Sequence, residues 1–270
     1  MIFLFSTTGN TRWAAERIAK ALDEEIVDVA PLLYHKQGHT DYTQPFTLRQ
    51  DETIGFCFPT HGWRPAPVMR QFIEKRLCFS NDPSGHYCWA LTTAGDSTGR
   101  TMQRLQTQLA TKGLKAASLF SLVMPESYVG LPLMDVDKPQ KEQAKVREAQ
   151  RALDCDIIPA LLRRECGLKE AHAGACPDLK SGLIGHVFEH WIVGDRQFRV
   201  DPERCTGCGK CALLCPVNNI QGGKQQQPVW LHTGRCISCF ACYHHCPVRA
   251  IEYGKRTQGK GQYYMKASST

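Results

Sequence analysis

Eight of the fourteen cysteines in this chain lie between Cys205 and Cys246, in two runs of identical spacing. The first sets Cys205, Cys208, Cys211 and Cys215 before Pro216, and the second sets Cys236, Cys239, Cys242 and Cys246 before Pro247. Each reads C-x2-C-x2-C-x3-C-P, a spacing that suits a 4Fe-4S cubane. Three cysteines at two-residue intervals let a tight loop wrap three corners of the cluster. Backbone N–H groups turned toward the sulfides then offset its negative charge. The fourth cysteine falls on the helix that follows and ligates the other cluster. The expected sets are therefore Cys205, Cys208, Cys211 and Cys246 on one cluster, and Cys236, Cys239, Cys242 and Cys215 on the second. The alternatives are a cross-braced zinc module and a disulfide knot. Zinc modules pair two C-x2-C hooks and need neither a third cysteine two residues on nor the proline, and disulfides need an oxidising compartment.

The flanks repeat too. Cys-Pro-Val-Asn-Asn-Ile from Cys215 is matched by Cys-Pro-Val-Arg-Ala-Ile from Cys246, as in a duplicated unit. On these residues the stretch 196–256 resembles a bacterial two-cluster ferredoxin, which implies a small α+β domain holding two 4Fe-4S clusters.

A different chemistry is written at the other end of the chain. An apolar run over residues 1–5 breaks into Ser6, Thr7, Thr8, Gly9, Asn10 and Thr11, after which Trp13, Ala14, Ile18, Ala19 and Leu22 recur at helical spacing. A strand, a loop of small hydroxylated residues and a helix N-terminus can together surround a phosphate with N–H groups and hydroxyls. The loop has no lysine, G-x4-G-K-[ST] is absent and so is GxGxxG, which argues against a magnesium-bound triphosphate or a dinucleotide. Such a loop can equally be an N-cap and nothing more.

Elements that must position this loop follow in alternation. Strands are expected at 25–29, 53–58, 87–92 and 117–124, and helices at 68–76, 100–112 and 141–164. Alternation of this kind implies a parallel sheet covered on both faces, with ligands beyond the carboxyl ends of its strands. Three loops leave those ends, at 6–11, 59–67 and 92–99.

In these loops the stretch 1–166 resembles flavodoxin. Ser6, Thr8, Gly9 and Thr11, with Thr7 and Asn10 between, match the family's [ST]-x-T-G-x-T loop for the phosphate of FMN. The resemblance further implies that Thr60, His61, Gly62 and Trp63 meet the flavin, with the Trp63 ring on the isoalloxazine and the His61-Gly62 peptide near N5. It also implies that the third loop, through Thr92, Thr93, Ala94, Gly95, Asp96 and Gly99, reaches the pyrimidine edge. That loop lacks the aromatic that often covers the other ring face, leaving that role to Tyr128, the ferredoxin-like domain or a partner. The resemblance as a whole is to bacterial flavodoxin-ferredoxin fusion proteins. The fold it implies is α/β, a flavodoxin-like doubly wound five-stranded parallel sheet followed by a small α+β ferredoxin-like domain.

Between the halves, 167–195 reads as a linker and bridging helix, with His186 and His190 four apart on one face. The end, 257–270, reads as a basic tail. The net charge is +7, yet no nucleic-acid motif accompanies it. A basic balance of this size equally suits an acidic docking surface on a protein partner. No apolar run reaches membrane-spanning length, and the first residues are too short for a signal peptide. A cytoplasmic location is expected. The expected function is electron transfer between FMN and the two clusters, to or from an external redox protein donor or acceptor. The alternative is a flavin-dependent reductase of a quinone or nitro compound, fed by its own clusters. His61 and Arg64, set against the single acid Asp96, predict a positive flavin environment that favours reduction.

Overall fold

The computed structural model describes residues 1–34, 44–223 and 225–266. The N-terminal part runs β1 (Ile2–Leu4), α1 (Asn10–Leu22), β2 (Ile26–Asp28), α2 (Val29–Leu33), β3 (Ile54–His61), β4 (Arg64–Pro65), α3 (Pro67–Lys75), β5 (Cys88–Ala94), α4 (Thr101–Ala110), β6 (Ser118–Val123) and α5 (Pro139–Arg151). A π-helical segment, Ala152–Ile157, carries α5 into α6 (Ile158–Leu162), so the long C-terminal helix expected from the sequence is present with a widened turn inside it. The main parallel sheet has the order β2-β1-β3-β5-β6, and a short further strand, β7 (Lys169–Glu170), joins beside β6. The linker thus lengthens the five-stranded sheet expected from the sequence to six strands, while β4 folds back antiparallel on β3.

A parallel sheet is buried on both sides, so its central strands are apolar throughout rather than alternating. All seven residues of β5 are buried. One face is covered by α1 and the C-terminal helix, through Trp13, Ala14, Ile18, Leu153 and Ile157. The other is covered by α3 and α4, through Val68, Met69, Phe72 and Leu105. Each such fully buried side chain contributes about 1.5–3 kcal/mol. The order and the two covered faces place the carboxyl ends of β1 and β3, either side of the point where the strand order reverses, at one edge, where α/β sheets form clefts.

The chain then passes through α7 (Pro177–Leu179) and α8 (Gly185–Val187), which alternate with π-helical segments Lys180–Ile184 and Phe188–Ile192 to make one helix. The C-terminal domain comprises β8 (Phe198–Val200), α9 (Lys210–Leu213), the hairpin of β9 (Ile220–Gly223) and β10 (Gln226–Trp230), α10 (Ala241–His244) and β11 (Ile251–Tyr253), which pairs with β8. Its aromatic core, with Phe198 stacked on Trp230 at 5.4 Å, is continuous with that of the first domain through Tyr128 against Phe240 at 5.3 Å.

The segment read as a basic tail does not end in solvent over its described part. Lys260 Nζ donates to the carbonyls of Val129, Leu131 and Met134, Tyr263 is buried, and the Met265 N–H bonds to the Thr8 carbonyl. Residues 257–266 form a strap that returns from the second domain to the first loop of the sheet. Residues 267–270 lie outside the described residues.

Candidate functional site

The duplicated cysteine runs fold into two similar loops. The first needs left-handed backbone at Gly207 (φ 65°) and Gly209 (φ 75°), and the second adopts the same conformation at Ser238 (φ 50°) and Phe240 (φ 56°). Left-handed backbone is costly for a residue with a Cβ, and at Ser238 two hydrogen bonds compensate: its hydroxyl accepts from Gly194 N–H at 2.9 Å and donates to the Gly194 carbonyl at 3.1 Å. After each fourth cysteine the chain curls back to give its sulfur a backbone donor. Asn219 N–H lies 3.3 Å from Cys215 Sγ, and Ala250 N–H lies 3.2 Å from Cys246 Sγ. Such donors stabilise thiolate sulfur and the negative charge of a cluster.

Two cavities follow from this arrangement. One is lined by Cys205, Cys208 and Cys211 together with Cys246. The other is lined by Cys236, Cys239 and Cys242 together with Cys215. Each gathers three cysteines of one run and the last cysteine of the other. The first, or outer, cavity reaches the surface at the exposed Cys208, whereas Cys215 and Cys242 of the inner cavity are buried.

A third concavity, of about 100 Å³, opens at the carboxyl edge of the sheet. One wall carries Ser6, Thr7, Thr8, Asn10 and Thr11. The floor carries Thr60, His61, Thr93, Ala94 and Gly95. The helix behind the first wall has no side-chain cap and no acid in its first turn, so its N–H groups favour an anion. Ser6 Oγ accepts from Arg12 N–H, and the Thr11 and Thr93 hydroxyls meet at 2.7 Å. These residues fit the phosphate end of the flavin implied by the sequence. His61 and Tyr128 are both lining residues, and the Tyr128 hydroxyl, beside Gly130, is shielded from water without a hydrogen-bond partner. Unpaired polar groups of this kind are costly unless a bound molecule satisfies them. Burial pulls the His61 pKa down to about 4, with Glu189 and the Ile237 backbone opposing only in part. Glu126, which also lines the cleft, has its pKa raised by burial, although the Ser127 and Tyr128 N–H groups bond to Oε1.

Several residues expected around the flavin stand elsewhere. Trp63 does not line the cleft. Its Nε1 donates to Ser97 Oγ at 3.3 Å and Lys180 Nζ sits 5.8 Å from its ring centre, because the β3–β4 turn directs it to the linker helix. Gly62 (φ 57°) is covered by Phe188, whose ring would lie 2.6 Å from an added Cβ, so the His61-Gly62 peptide is not an open edge of the cleft. Thr92 is buried with its hydroxyl against Thr60, Asp96 is exposed, and Gly99 packs on Ser181 and Trp63. Gly9 faces Met265 of the strap. Thr60, His61, Thr92, Thr93 and Ala94 belong to strand ends rather than loops. The positive environment expected from His61 and Arg64 also fails. His61 is neutral near pH 7, and Arg64 is held by Glu189 at 2.9 Å.

Two walls were not singled out from the sequence as flavin contacts. Pro125, Glu126, Ser127 and Tyr128 follow β6, and Ile237, Ser238 and Cys239 come from the second cysteine loop. The first could have been found by extending the carboxyl-end rule to one more strand. Tyr128 and the second domain were named only as candidate covers for a ring face. His244, buried beside Cys242, ties the two walls together through Nε2 at 2.6 Å from the Ser127 carbonyl. The His186 and His190 rings stack on each other at 4.1 Å. Among the described residues, no three His, Cys, Asp or Glu groups gather closely enough to share a single metal ion.

Comparison with known families finds the 4Fe-4S dicluster domain over residues 197–247. That stretch contains both cysteine runs and supports iron-sulfur electron transfer by a ferredoxin-like domain. No curated protein matches the chain.

Proposed function

We propose that the chain is an electron-transfer protein in which FMN in the carboxyl-edge cleft and two 4Fe-4S clusters in the cysteine cavities form one intramolecular path. One observation carries this reading: Ile237 and Cys239 line both the cleft and the inner cysteine cavity. A group in the cleft and a cluster on Cys215, Cys236, Cys239 and Cys242 would share a wall. The order is then cleft, inner cluster, outer cluster, with the outer one beside the exposed Cys208 as the contact for an external redox partner.

On this reading the sheet domain is flavodoxin-like. FMN supplies the ability to exchange electrons singly or in pairs, which lets it join two kinds of carrier. The chain's own residues do the rest. Ser6, Thr8 and Thr11, with the first turn of α1, hold the phosphate. Tyr128 and the neutral His61 ring also line the cleft. Glu126 is placed to hold or release a proton there. Tyr128 and residues 237–239 cover the side for which the sequence offered no aromatic, which weighs against a reductase presenting an open flavin face to a small substrate.

Anaerobic reconstitution with iron, sulfide and FMN tests the assignment. The chain should retain one FMN and about eight irons. Cys215→Ser should lose the inner cluster, bound mainly by the opposite run, while keeping FMN and about four irons. Retention of zinc, or of no flavin, would overturn the proposal, and so would loss of the outer cluster in Cys215→Ser.

A further inference from the structure

The segment between β6 and α5 carries two carboxylates set in opposite surroundings. Asp137 is held by Lys141 Nζ at 2.8 Å and Lys145 Nζ at 2.5 Å, and it accepts the Glu126 N–H at 2.9 Å. Although burial opposes them, these donors hold its pKa below the usual carboxylate range. Glu126 has no such cation. Lys145 is already committed to Asp137 and to the Gly95 carbonyl at 2.6 Å, and among the described residues no Lys, Arg or His forms an ion pair with Glu126. Burial raises the Glu126 pKa, with the Tyr128 and Ser127 N–H groups and Lys145 opposing only in part and Asp137 adding to the rise. Where neighbouring carboxylates have their pKa values pushed apart, one stays charged and the other is suited to exchange a proton.

The fold puts that second carboxyl in the wall of the cleft. Its Oε1 accepts the Ser127 and Tyr128 N–H groups at 2.9 and 2.8 Å, which fixes the side chain. Oε2 lies over Gly95, another residue of the wall, and a Cβ at Gly95 would stand 2.1 Å from it, so the carboxyl fills room that only glycine leaves. Oε2 accepts no hydrogen bond among the described residues and is the oxygen left to take a proton, on a side chain that is half-buried. The other titratable groups lining the cleft are His61, Tyr128 and Cys239. His61 is neutral near pH 7, burial raises the Tyr128 pKa, and Cys239 belongs to the inner cysteine cavity. Outside the cleft, Lys141, Lys145, Asp137 and the exposed Asp96 complete the charged groups around this segment.

We propose that Glu126 takes up a proton from solvent as an electron reaches the group bound in the cleft, and returns it as the electron leaves. The step rests on the reading of the cleft as an FMN site. One electron comes from the external redox partner by way of the clusters, one proton comes from solvent, and the carboxylate becomes a carboxylic acid with no other bond made or broken. Negative charge added beside a half-buried carboxyl favours its protonated form, and by linkage the proton stabilises the added electron. Asp137, paired with two lysines, stays charged throughout.

Infrared difference spectra of the fully loaded protein, reduced against oxidised, test this. The wild type should gain a carboxylic-acid carbonyl band on reduction that shifts in deuterium oxide and is missing from Glu126→Gln. Proton uptake on reduction, read with a pH indicator, should be smaller in the variant by up to about one proton per chain. Unchanged iron-sulfur absorbance confirms the fold of the variant. If that absorbance is lost, Gly95→Ala serves instead, because its Cβ would displace the carboxyl, and it should lose the band as well. Bound FMN with no such band, or a band that Glu126→Gln retains, would overturn the proposal while leaving the FMN assignment standing. Failure of the loaded chain to retain FMN would overturn both.

Discussion

Tyr128 lines the cleft, and its hydroxyl is buried without a hydrogen-bond partner. A buried hydroxyl without a partner costs about 1–3 kcal/mol. Tyr128→Phe should therefore leave the FMN-free protein as stable or more stable in urea unfolding, while weakening FMN binding in a fluorescence titration. A residue serving only to pack the two domains would leave FMN binding unchanged. His61 makes a pH prediction. Its pKa of about 4 in the folded chain lies below the ordinary 6.5, so the unfolded chain binds the proton first. Folding stability should fall as pH drops from about 6.5 toward 4 and be insensitive to this group above that range. Thermal unfolding of the FMN-free protein at several pH values, compared with His61→Asn, checks this. The variant should show a shallower decline, and identical slopes would contradict a neutral His61. Trp63 shows the limit of a motif at this scale. Its place after Gly62 is legible in the sequence, but the direction of its ring is set by the two-residue strand Arg64–Pro65, which pairs back on β3.

At the scale of elements, the strap over residues 257–266 is the part least visible in the sequence. Lys260 and Tyr263 sit among basic and small polar residues, a composition that reads as a solvated end. What orders them are acceptors more than a hundred residues away: three carbonyls for Lys260 and Asn10 Oδ1 for the Tyr263 hydroxyl at 2.6 Å. Lys260→Met should lower stability by about 1.5–3 kcal/mol, as for loss of a charged hydrogen bond. It should also speed FMN release, because the strap backs Thr8 and Gly9. Chemical denaturation and the rate of FMN loss on dilution measure the two effects. Unaltered stability would mean that the strap does not hold the domains. The sheet itself was far more legible. Apolar runs such as that of β5 and helices such as α1 carry their burial in their own periodicity. The mixed α and π helix over 177–192 does not, because its period follows from what it packs on.

For the molecule as a whole, the cysteine runs were readable because duplicated spacing fixes local geometry, and each cavity gathers the three-plus-one set that this spacing requires. The wall between cleft and inner cavity was not readable. It depends on how a loop near residue 238 meets one near residue 127, a contact set by Ser127, His244, Tyr128 and Phe240 rather than by any motif. That wall is the core of the proposed function, since it makes the flavin and the inner cluster neighbours within one chain. Laser-flash photoreduction of FMN in the fully loaded protein, followed at flavin and iron-sulfur wavelengths, tests it most directly. The electron should pass to the clusters in a first-order step whose rate does not change with protein concentration, and which is lost in Cys215→Ser. A rate that rises in proportion to protein concentration would show transfer between molecules and contradict the shared wall.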